Sequence, residues 1–193
     1  MSGRIRPTSC AAPALLVVVL AASACSGGGA AAQVPLGEKV SFGGLSYQAP
    51  AAWVSEQPSS NMRLAQYKVP GPDGAEAGEC ALFHFPGTGG SVQANLDRWY
   101  GQFQQPDGGS SAQKATVQKF QVGTLPVTLV EVSGTYVASM GSMDPGGPKP
   151  GYRLVAGVVE TVQGPWFLKC TGPEATMISA APAVKALLKT AQP

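Results

Sequence analysis

His84 is the only histidine in this 193-residue chain, so any mechanism that needs an imidazole to carry a proton or hold a metal must use this one residue. It sits in Cys80-Ala81-Leu82-Phe83-His84-Phe85, between two phenylalanines, and no Gly-x-Ser-x-Gly elbow is present to bring a serine to it. The expectation is a core or sheet-face histidine satisfied by a hydrogen bond. Asp73, Glu76 and Glu79 form the only local acidic cluster, within a glycine-rich turn. They read as a solvated loop, with weak calcium binding as the alternative, because their oxygen ligands lack an EF-hand spacing. Pro86-Gly87-Thr88-Gly89-Gly90-Ser91 could offer backbone N–H groups to an anion at the start of a helix. It has no P-loop lysine and no third fixed glycine of a dinucleotide fingerprint, so it reads as a tight strand-to-helix turn. Met140 and Met143 could supply thioethers to Cu(I), but the one histidine is remote in sequence, and a loop is the plainer reading. No catalytic residue, metal site or cofactor is expected, and the chain does not read as an enzyme.

The amino terminus carries a stronger signal. Arg4 and Arg6 precede the apolar run Leu15 to Leu20, which is too short for a spanning helix of about 20 residues and ends in small residues. Residues 1–24 therefore read as a secretory signal peptide. The ending Ala22-Ser23-Ala24-Cys25 resembles the lipobox of bacterial lipoproteins, although Ala22 stands where that family usually has leucine. The resemblance implies that the Cys25 thiol receives diacylglycerol, that cleavage falls just before it, and that the new amino terminus is acylated. It places the protein in the cell envelope, tethered by lipid. In a two-membrane organism Ser26 gives no inner-membrane retention signal of the aspartate type, which implies the outer membrane, facing the periplasm; with one membrane, the outer face of the cell membrane is implied.

Loss of residues 1–24 leaves 11 of the 13 basic side chains against 11 acidic ones. No two basic residues are adjacent, so neither nucleic acid nor an anionic bilayer surface finds the clustered cations it needs. The membrane partner is reached through the acyl chains alone. Residues 25–36 form the lipidated cysteine and a flexible tether of small residues, and 37–193 a single globular domain. Within it Cys80 and Cys170 are expected to form a disulfide, since an exported chain folds in an oxidising compartment. Buried free thiols or a metal or redox pair are the alternatives, without a Cys-x-x-Cys in their favour.

The elements that must position these residues are mostly short alternating runs between Gly and Pro. Val40-Ser41-Phe42 and Leu45-Ser46-Tyr47 read as a hairpin across Gly43-Gly44. Arg63 to Val69 alternates as a half-wet strand, and Cys80 to Phe85 is apolar on both faces, as a central strand would be. Val92, Leu96, Trp99, Tyr100 and Phe103 share one face of a helix capped by Ser91, with Gln93, Asn95, Asp97, Arg98 and Gln102 on the other. Thr116 to Val122, Val127 to Val137, Tyr152 to Val162 and Trp166 to Cys170 read as further strands. Met177, Val184, Leu187 and Leu188 mark a C-terminal helix that Pro182 should kink or split. The fold class is α+β, an antiparallel sheet of about six to seven strands packed against two main helices.

Asn61 to Tyr67, Gly89 to Phe103 and Gly164 to Pro173 resemble a group of bacterial exported proteins of no assigned activity, over about Val40 to Lys189. The order of elements is similar to the Mog1/PsbP-like sandwich, at the level of fold only. Neither resemblance implies a catalytic residue. The function expected is that of a non-enzymatic, lipid-anchored module that binds a partner protein in the envelope, with the Gly/Pro loop Ser139 to Gly151 available for contact. The other reading is a carrier or sensor of a small apolar ligand held between helix and sheet near Trp53, Trp99 and Trp166.

Overall fold

The alternating runs become ten strands, interrupted by three helices. The computed structural model describes residues 1, 3, 33–42, 44–87, 89–137 and 147–193, and Gln33–Pro193 forms one unit. Its strands are β1 (Leu36–Phe42), β2 (Leu45–Pro50), β3 (Val54–Glu56), β4 (Ala65–Val69), β5 (Gly78–His84), β6 (Phe103–Gln104), β7 (Thr116–Val122), β8 (Leu125–Tyr136), β9 (Lys149–Val159) and β10 (Trp166–Pro173). Helix α1 (Val92–Tyr100) follows β5, the single turn α2 (Ser111–Lys114) precedes β7, and α3 (Glu174–Lys189) closes the chain. The expected signal peptide apart from residues 1 and 3, Cys25, most of the expected tether, Met140, Met143 and most of the Ser139 to Gly151 loop lie outside the described residues.

Eight strands make one antiparallel sheet in the order β3-β4-β5-β10-β9-β8-β6, with β7 pairing along the rest of β8. The α+β class with an antiparallel sheet is thus present. The hairpin of β1 and β2 stands apart as a sheet of its own. It is tied to the C-terminus, where Ser46 N donates to Gln192 O at 2.8 Å and Gln192 N returns the bond at 2.9 Å.

Side chains on successive strand residues point to opposite faces, and here both faces of the sheet are used. One face carries Tyr67, Cys80, Leu82, Leu129, Val155, Leu168 and Cys170, packed under α3 and the hairpin. The opposite face carries Val130, Val132, Leu154, Ala156, Val158 and Phe167, packed under Leu96, Trp99 and Tyr100 of α1. Cys80 and Cys170 lie directly opposite each other in β5 and β10 and are bonded as a disulfide. β10, a short strand near the end of the chain, is therefore the central one, held between β5 and β9.

Three expectations are corrected by the packing. Phe103 does not continue α1: the helix ends at Gly101, and Phe103 is carried into β6, where it pairs with Tyr136. Asn95 is not on the wet face but only 3 % exposed, because its amide donates to the carbonyls of Gly89 at 2.7 Å and Ser91 at 2.9 Å and so fastens the glycine turn to the helix. Ser91 caps as expected, its Oγ accepting from Ala94 N at 3.1 Å. Pro182 does not split α3, which runs unbroken for 16 residues. The carbonyl it leaves without an N–H belongs to Ile178, a position 55 % exposed where water can take over.

Candidate functional site

Under α3, little space is left between helix and sheet for an apolar ligand. Between α3, the hairpin and the sheet, a gap of about 10 Å³ remains, lined by Leu45, Tyr47, Trp166, Leu187 and Leu188 among others. That is room for one water at most. Nor do the three tryptophans converge. Trp166 and Trp53 belong to the layer under α3, Trp53 leaning on Tyr67 with ring centres 6.0 Å apart, whereas Trp99 packs edge-on against Phe167 on the opposite face of the sheet.

His84 is stacked flat on Trp166, ring centres 4.2 Å apart and planes 6° from parallel. Its buried Nε2 has no hydrogen-bond partner, so at that nitrogen the expected satisfaction by a hydrogen bond is absent. The acidic trio is dispersed. Asp73 sits in a tight turn at φ 50°, Glu76 accepts from the Tyr152 hydroxyl at 2.8 Å, and Glu79 belongs to β5, not the turn, where it pairs with Arg63 at 2.7 Å. Among the described residues no three His, Cys, Asp or Glu side chains are grouped to hold a metal ion.

The largest concavity among those described lies elsewhere, on the part of the α1-side face that the helix does not cover. It encloses about 950 Å³. Its floor is Ala81 and Phe83 of β5 with Lys169 and Thr171 of β10; Ser60, Met62 and Arg63 form one wall, and Tyr136, Lys149 and Tyr152 the other. The second wall is aromatic in depth, with Phe103, Tyr136 and Tyr152 following one another at 5.4 Å and 6.3 Å between ring centres. Lys169 Nζ lies 5.4 Å from the Tyr136 ring centre and Lys149 Nζ 5.8 Å from that of Tyr152. Cation–π contacts of this kind hold the lysines over the rings.

Lys169 is the chemically unusual member. Alternation within β10 turns Leu168 and Cys170 to the core under α3, which forces Lys169 onto the other face. Its cross-strand neighbours are Ala81 on β5 and Ala156 on β9, neither with a polar side chain. Nζ donates to Gln102 Oε1 at 2.7 Å, a neutral partner. Burial, followed by the nearby positive charges of Arg63 and Arg98, lowers its pKa to about 8, against a smaller opposing pull from Glu79.

A stability dependence on pH follows. Between about pH 8 and 10.5 the unfolded chain still holds the Lys169 proton while the native protein has released it, so this group makes stability rise with pH across that window. Below about pH 8 both states are charged and the cost of burying the ammonium is present in full. Lys169→Met should flatten that rise, as measured by urea unfolding at pH 7 and pH 10; an unchanged slope would show that Lys169 titrates as an ordinary surface lysine.

The sequence reading missed the groove residues, although one signal was available: a single lysine inside the apolar strand Trp166-Phe167-Leu168-Lys169-Cys170. No protein-family model matches this chain, and no curated protein matches it. Solved structures similar to it include a Pseudomonas aeruginosa protein of unknown function, at 14 % identity, 82 % of this chain and 97 % of that one covered, TM-score 0.47. They also include the cyanobacterial PsbP of Synechocystis, at 9 % identity, 85 % and 95 % covered, TM-score 0.47.

Proposed function

We propose that this chain is a lipid-anchored, non-enzymatic envelope protein that docks a partner protein in the groove over β4, β5 and β10. The observation that carries the reading is the contrast between the two spaces. The interior between α3 and the sheet holds about 10 Å³, whereas the open groove holds about 950 Å³. A small apolar ligand has no preformed chamber under α3, while a mixed lining of aromatic, hydroxyl and charged groups suits a protein surface. The lipobox-like Cys25 and the tether after it support a location against the membrane, within the short reach of a flexible linker.

Cross-linking in intact cells tests this, with Cys25→Ala as the unanchored control and Thr171→Trp, on the groove floor, as the filled-groove variant. One partner captured by the wild type and depleted about tenfold or more with Thr171→Trp supports docking, in line with the cost of blocking the centre of an interface. Equal capture by a folded Thr171→Trp protein removes the groove from the function.

A further inference from the structure

We propose that the occupant of the groove is an acidic segment of the partner, with one of its carboxylates seated on Lys169 beside Arg63. This inference rests on the docking role given to the groove above.

Charge placement carries it. The carboxylates in the lining already have donors within the protein: Glu56 accepts from Gln66 Nε2 at 3.2 Å, Glu76 from the Tyr152 hydroxyl at 2.8 Å, and Glu79 from Arg63. Lys169 is the reverse case. Its ammonium is held on the floor by an amide oxygen and a ring face, and no carboxylate of the described residues forms an ion pair with it. Arg98, whose guanidinium donates to Asn95 Oδ1 at 2.6 Å, adds a further positive charge close to it. A partly buried ammonium whose acceptor is a neutral amide gains a stronger, charge-assisted hydrogen bond from an anion that settles beside it.

Its surroundings select the kind of anion. The positive excess is small, Arg63, Lys68, Lys149 and Lys169 against Glu56, Glu76 and Glu79 in the lining, which does not suit a polyanion. Phe83, on the floor beside Lys169, offers its ring to an apolar or aromatic side chain. A segment alternating acidic and aromatic residues meets both features. A seated carboxylate also opposes the lowering of the Lys169 pKa that burial and the two arginines cause.

The test uses an acetylated, amidated hexapeptide alternating glutamate and tyrosine, its glutamine counterpart, and acetate and inorganic phosphate as free anions. Binding is followed on the folded domain by the Lys169 side-chain resonances in lysine-labelled protein. Expected is saturable binding of the acidic peptide that moves the Lys169 titration upward, and a loss of about tenfold or more both with the glutamine peptide and with Lys169→Gln. Lys119→Gln, in β7, should bind as the wild type does. Equal affinity for the two peptides, undiminished binding by Lys169→Gln, or no binding of the acidic peptide at millimolar concentration overturns the inference, as does saturation by acetate or phosphate as tight as by the peptide. The docking reading fails separately, when Thr171→Trp leaves cellular capture unchanged. Capture lost with Thr171→Trp but kept with Lys169→Gln leaves a docking groove whose occupant is not acidic.

Discussion

Reduction of the Cys80–Cys170 disulfide is expected to lower the stability of the domain by about 4–5 kcal/mol, because the bond spans 90 residues and chain entropy scales with the logarithm of that span. Against an ordinary domain stability of about 5–15 kcal/mol, a loss of that size is a large share of the whole. The bond joins the two central strands β5 and β10 at a position where both cysteines are fully buried. Without it, the pairing of β5 with β10 must be closed across that long loop by hydrogen bonds and packing alone. Cys80→Ala/Cys170→Ala should lose slightly more than reduction does, since two buried sulfur atoms go as well. Urea unfolding of the oxidised, reduced and double-alanine proteins measures the three values. Oxidised and reduced forms agreeing within about 1 kcal/mol would show that the unfolded chain is already confined and that the span argument does not apply here. The floor of the groove is the same strand pair, so the reduced protein is also expected to hold Ala81 and Lys169 less firmly in register.

What could be read from the residues was what alternation and capping specify locally. Thr116 to Val122 emerged as β7 with the ends expected, Ser91 capped α1, and Met177, Val184, Leu187 and Leu188 turned one face of α3 into the core. These features depend on residues a few positions apart, and periodicity reports them directly. The hairpin illustrates the limit. Its strands were legible, but whether they extend the main sheet or form their own depends on pairing with Gln192, far away in the chain. Asn95 was assigned to solvent because polarity was the only guide, and its burial follows from carbonyls that the glycine turn happens to point at it. The groove was not legible at all as a unit. Arg63, Lys169, Tyr136 and Tyr152 lie on four strands or their ends, and only the order β4-β5-β10-β9-β8 brings them to one face. The same ordering separates Trp99 from Trp53 and Trp166. Sheet order is set by long-range pairing that no single segment encodes.

Gly157 and Leu188 should behave as one unit under mutation. Gly157 lies in β9 between Leu168 of β10 and Leu129 of β8, and α3 crosses directly above it. A Cβ placed there would stand 2.6 Å and 2.7 Å from the two terminal carbons of Leu188, well inside the distance at which carbon atoms repel. The leucine cannot swing away, being 1 % exposed and bordering a gap of only about 10 Å³. Gly157→Ala is therefore expected to cost about 1–3 kcal/mol by overpacking, although alanine alone in a strand is ordinarily the better residue. Leu188→Ala is expected to cost about 2–5 kcal/mol through the opposite fault, a cavity under α3. In the double variant the new methyl group enters the space the leucine vacates, so the combined loss should fall short of the sum by about 1 kcal/mol or more, a coupling readable from denaturant unfolding of the four proteins. Additive losses would mean that α3 moves as a body instead of transmitting a local clash. The pair sits on the face of the sheet opposite Lys169, so the same four proteins, compared where all are folded, should bind the acidic peptide alike. Stability and docking are then properties of two different faces of one sheet, and a variant that disturbs both at once would argue that α3 helps to shape the groove through the strands between them.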